Sequence, residues 1–96
     1  MKAYKDLVKT ALHHGYVVSV FDGEEWSVKK SNQYKTIIDD IEGVEEAQIV
    51  IRDASDKQLG WALIIPDLAD DETVADFTIT SFMNNWDFQY TQKRGE

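Results

Sequence analysis

The period of the apolar side chains switches from helical to alternating and back again along this chain, and that order restricts the fold more than any other feature. Tyr4, Leu7, Val8, Ala11 and Leu12 recur at helical spacing while Lys2, Lys5 and Lys9 occupy another face, which predicts an amphipathic helix over residues 3–14. Gly15 follows where a left-handed residue can close the last turn, and His13 and His14 lie where positive charge suits the helix dipole. Residues 16–21 are β-branched and aromatic, 22–25 carry turn chemistry, and 26–30 alternate apolar with polar, the pattern of a β-hairpin.

The same order then returns. Ser31 or Asn32 is placed to cap a second helix whose buried stripe is Tyr34, Ile37, Ile38 and Ile41, with Gly43 at its end. Ala47, Ile49 and Ile51 alternate with Gln48, Val50 and Arg52, and a polar turn over 53–57 leads into residues 59–65, apolar on both faces. A strand of that kind belongs inside a sheet, whereas the lysine-bearing strand 26–30 suits an edge. Pro66 cannot donate to a ladder, so pairing should stop there. Beyond it we expect an acidic loop over 67–72, a helical turn over 73–77, and another over 81–86 capped by Thr78 or Thr80.

The expected fold is therefore α+β, in the order αββ-αββ-α, with a four-stranded, mainly antiparallel sheet packed against helices. Residues 1–90 should form one compact domain and 91–96 a disordered tail. The inward periods place Leu7, Leu12, Val18, Val20, Ile37, Ile41, Ile49, Ile51, Trp61, Leu63 and Ile65 in the core. With no cysteine, neither a disulfide framework nor a thiolate metal site can support it, and packing must. The N-terminal residues lack an apolar signal core and no run approaches ~18 apolar residues, so neither secretion nor membrane spanning is expected.

Charge is the compositional outlier, and it is regional. The formal net charge is −8, but residues 1–38 carry +2, residues 39–76 carry −10, and residues 77–96 balance. A field of that sign repels nucleic acid and speeds encounter with basic partners. Two groups of carboxylates stand out: Asp39, Asp40, Glu42, Glu45 and Glu46 around the end of the second helix, and Asp67, Asp70, Asp71, Glu72 and Asp76 after Pro66. The first group opposes the helix dipole, and a local feature that works against stability is a candidate for function.

Other chemistry is not signalled. The chain lacks GxGxxG, P-loop, HExxH and GxSxG motifs. His13 and His14 are adjacent, so on a helix they point about 100° apart and do not grip one metal ion. The acids after Pro66 do not have EF-hand spacing. Lys2, Lys5 and Lys9 make too small a basic stripe for a nucleic-acid footprint, and Trp26, Trp61 and Trp86 read as packing residues. No enzyme activity, cofactor or metal is expected.

Residues 59–66, 71–77 and 82–86, together with Gly23-Glu24-Glu25-Trp26 and Tyr34-Lys35-Thr36-Ile37-Ile38, resemble small accessory proteins of tailed bacteriophages. The resemblance spans roughly residues 16–86. It implies a phage-encoded protein of the host cytoplasm and brings no catalytic residues with it. The expectation is a small interaction module, monomeric or weakly dimeric, whose acidic groups meet a basic host protein. A self-associating structural component and a carboxylate-based metal-dependent enzyme are the alternatives.

Overall fold

The computed structural model describes residues 1–94. The chain runs α1 (Ala3–His13), β1 (Val17–Phe21), β2 (Trp26–Ser31), α2 (Tyr34–Glu42), β3 (Ala47–Arg52), β4 (Gln58–Ile64), a 3-10 turn (Asp70–Glu72), β5 (Val74–Phe77) and α3 (Ser81–Arg94). The strands form one antiparallel sheet in the order β2-β1-β3-β4-β5. The fold is α+β with an αββ-αββ beginning, as the periodicity implies, but the sheet has five strands rather than four.

Local chemistry explains the first elements. α1 closes at Gly15, whose φ is +81°: Gly15 N donates to Leu12 O and Tyr16 N to Ala11 O, a Schellman ending that needs the left-handed backbone. The β1–β2 turn is fastened by Asp22, whose carboxylate accepts from the backbone N–H groups of Glu24 and Glu25 at 2.9 Å each. Asp53 does the same for the β3–β4 turn, accepting from Ser55 and Lys57. β2 lies at an edge, with register shifts against β1 and a positive φ of 47° at Lys30. α2 begins at Gln33 without a side-chain cap; Ser31 Oγ instead accepts from Gln33 N.

The chain after Pro66 departs from expectation in two places. Within 73–77, where a helical turn is expected, Val74–Phe77 extends as β5, because the outer edge of β4 accepts it: Ala62 pairs with Phe77 and Leu63 with Asp76. Thr78 extends the pairing, since its N–H donates to Trp61 O and its hydroxyl accepts from Trp61 N at 3.0 Å. Helix α3 then continues through residues 91–94, expected in a disordered tail, while the last two residues lie outside the described residues. No Gly or Pro interrupts 81–94, Thr80 caps the helix through Met83 N at 3.3 Å, and Trp86 and Tyr90 stack at 5.5 Å one turn apart.

All three helices lie in one layer on one side of the sheet. α1 packs between α2 and α3, α2 covers β1 and β2, and α3 crosses β4. The core is the seam between the layers: Tyr4, Leu7, Val8 and Ala11 of α1, Ile37 and Ile41 of α2, and Met83 and Trp86 of α3 against Val18, Val20, Ile49, Ile51, Ala62 and Ile64. Full burial of one such aliphatic side chain stabilises by about 1.5–3 kcal/mol over leaving it exposed.

In β4 the inward residues are Gly60, Ala62 and Ile64, while Trp61 and Leu63, and Ile65 just past the strand, assigned to the core from the sequence, are half-buried. Leu12 is half-buried as well, at the end of α1. The inversion in β4 has a steric cause. α3 comes so close that a Cβ on Gly60 would lie 2.5 Å from Met83 Cγ, so Gly60 and Ala62 face the helix and Trp61 faces away.

Candidate interaction surface

Antiparallel pairing decides where the acids go. β1 ends, β3 begins and β4 ends at the same end of the sheet, since Phe21 pairs with Gln48 and Ala47 with Ile64. Helix α1 starts there and α2 finishes there. Lys2 Nζ donates to Pro66 O at 2.7 Å, Tyr4 N donates to Thr73 Oγ1 at 3.2 Å, and Tyr4 Oη donates to Glu42 at 2.7 Å. Three connections therefore meet at this end: the β1–β2 turn, the α2–β3 loop and the β4–β5 connection.

Seven of the ten carboxylates singled out from the sequence lie here: Glu42, Glu45 and Glu46 from the end of α2, and Asp67, Asp70, Asp71 and Glu72 from the β4–β5 connection. All seven are exposed. The hairpin turn adds Asp22, Glu24 and Glu25, which the sequence reading left out. Their signal was present in the hairpin itself, because an antiparallel partner to β1 must start where that turn lies. Phe21, Asp22, Val44, Glu45, Glu46 and Gln48 line a shallow hollow between the two loops.

The other three carboxylates lie outside the three connections and have local roles. Asp39 pairs with Lys35 at 2.7 Å one turn away on α2. Asp40 accepts from the hydroxyl of Ser27 and so ties α2 to β2. Asp76 sits on β5 opposite Leu63, its carboxylate accepting from Phe77 N. Glu42 is the acid most engaged within the cluster. Its carboxyl is held below the usual range first by the Tyr4 hydrogen bond and then by Lys5, whose Nζ lies 3.4 Å away. Burial, and then Glu42, push the Tyr4 hydroxyl well above its ordinary value. That pair offsets the conflict between an acid and the C-terminal pole of α2. Backbone donors of Glu25 and Glu24 lower Asp22.

The opposite face of the sheet, which no helix covers, forms a second surface that the sequence reading missed. Phe21, Trp26, Val50, Trp61 and Leu63 lie on it, and Trp26 is 43% exposed. Trp26 meets Phe21 edge-on at 5.4 Å, and Trp61 Nε1 donates to Gln48 Oε1 at 3.0 Å. Next to Trp26, a hollow of about 250 Å³ is lined by Ser19, Lys29, Lys30, Val50 and Arg52. Lys30 Nζ and Arg52 Nε share Asp56, at 2.7 and 4.0 Å, and Lys30 holds that carboxylate below its ordinary range.

Among the described residues, no three His, Asp or Glu side chains converge as ligands of a metal ion would. His14 stacks on Tyr16 at 5.6 Å and meets Phe82 edge-on at 6.0 Å, while its Nδ1 lies 2.8 Å from Thr10 O. No helix among the described residues is long and apolar enough to cross a membrane. Compared with protein-family models, curated proteins and solved structures, the chain matches none.

Proposed function

We propose that this protein is an interaction module that docks its acidic end on a basic surface of a host protein, as an accessory protein of the kind tailed bacteriophages encode. One observation carries the reading: acids from three separate connections are gathered at a single end of the sheet. Exposed charges within about a Debye length, ~10 Å at 0.1 M salt, reinforce one another's field. Such a field accelerates encounter with a cationic surface more than it deepens affinity. The phage and host assignment is supported by the resemblance of residues 16–86 alone.

The test is capture from host lysate with two charge-reversed proteins. Glu45→Lys, Glu46→Lys, Asp67→Lys and Asp70→Lys together should abolish recovery of the partner, and wild-type binding should weaken with salt mainly through the association rate. Asp39→Lys, a turn back on α2 and paired with Lys35, should lower recovery less than the four-fold variant does. Equal recovery by wild type and the four-fold variant at every salt concentration would reduce the acidic end to a solubility feature.

A further inference from the structure

The uncovered sheet face is polarised. At one rim Lys29, Lys30 and Arg52, the last two sharing Asp56, surround the hollow beside Trp26 and leave an excess of positive charge. At the other rim, past Phe21 and Gln48, stand Asp22 and Glu46. Between the rims lies an apolar and aromatic centre, where Trp26, Phe21, Trp61 and Leu63 surround Val50, which is already buried in the middle of the central strand β3. Tryptophan, other aromatics and arginine are the residues that dominate the energy of protein contacts.

We propose that this face pairs with a second copy of the same chain, face to face, about a two-fold axis near Val50 that sets the two β3 strands antiparallel. The polarity argues for a self-complementary partner. A two-fold of this kind lays Arg52 of one copy over Gln48 of the other, beside that copy's Glu46, and the aromatic centres meet. The opposite orientation would lay acidic rim on acidic rim. Stacked sheets pack about 10 Å apart with strands inclined by about 30°, which the large side chains of Trp26 and Trp61 can fill.

Association through the sheet edges is disfavoured by the structure. β2 is kinked by register shifts and carries Lys29 and Lys30, and β5 is four residues long with a register shift of its own. Face pairing also deals with the net charge of −8. Antiparallel stacking sends the two acidic ends to opposite extremes of the dimer, where their repulsion is most screened. It leaves both of them free for a partner, a bivalent arrangement.

Sedimentation of the full chain across a concentration series up to about 1 mM should show a monomer–dimer equilibrium, and Trp26→Ala and Arg52→Glu should each weaken it by about tenfold or more. Circular dichroism of each variant should stay that of wild type. Combining Arg52→Glu with Glu46→Arg should recover dimerisation, because the swapped charges again attract each other across the two-fold. A chain that remains monomeric throughout, a dimer unmoved by Trp26→Ala, or a double variant no tighter than Arg52→Glu alone would overturn the proposal and give the face to another occupant.

Discussion

The two faces of the sheet are built from different residues by the same strands. Toward the helices β1, β3 and β4 present Val18, Val20, Ile49, Ile51, Gly60, Ala62 and Ile64, all buried; on the far side they present Phe21, Gln48, Val50, Arg52, Trp61 and Leu63. The inner set is aliphatic, reduced to Gly60 and Ala62 where α3 approaches. The outer set is large, aromatic and partly charged, and no helix covers it, although Val50 at its centre is buried by its neighbours. Side chains that hold a domain together and side chains suited to contact thus alternate along a single strand.

Substitutions can break or sharpen that contrast. The largest effect should come from the centre of the inner face: Ile49, fully buried in the central strand, should cost about 2–5 kcal/mol on replacement by alanine, read from chemical denaturation. Gly60→Ala should come next. Its new methyl would sit 2.5 Å from Met83 Cγ inside the core, an overpacking loss of about 1–3 kcal/mol, and a neutral result would mean that α3 can move away from β4.

The Tyr4–Glu42 pair joins α1 to α2 behind the acidic end and should matter less. Tyr4→Phe should cost about 1 kcal/mol, discounted because Glu42 is exposed. Glu42 is depressed in the fold, so its contribution is present above about pH 4 and is lost as pH falls through the folded value. Tyr4 is raised, so its contribution is present below about pH 10 and is lost as pH climbs beyond it. Stability against pH should therefore fall less steeply at both limits in Tyr4→Phe than in wild type. A parallel pair of curves would show that the bond does not form in solution. Smallest of all, Trp26→Ala in dilute solution should leave stability within about 0.5 kcal/mol of wild type, since its ring lies 43% exposed on the uncovered face.

How far the sequence is legible follows the range of the forces involved. α1 with its glycine ending, both hairpin turns and the stripe of α2 are determined by neighbours a few residues away, and each is readable from periodicity and turn chemistry. β5 is not, because Val74 and Phe77 suit a helical turn or a strand equally, and the decision rests with the free edge of β4. The direction of β4 is unreadable for a related reason: with apolar residues on both faces, alternation carries no sign. Gly60 and Ala62 held the available clue, since small residues in a strand mark close approach by another element. At the acidic end, the two carboxylate groups are visible as charge runs. Their meeting, and the arrival of Asp22, Glu24 and Glu25 beside them, depends on strand pairing across the whole domain.

The most direct measurement of the difference between the faces lies within β4, where Trp61 and Ile64 point to opposite sides of one strand. Equilibrium unfolding of Ile64→Ala and Trp61→Ala, side by side in dilute solution, compares them on a common scale. Ile64 is fully buried and should cost about 2–5 kcal/mol, whereas the half-buried indole of Trp61 should cost about 1–2 kcal/mol despite its greater size. A larger loss at Trp61 than at Ile64 would place the core on the face of the sheet that no helix covers, and the assignment of the two faces would be wrong.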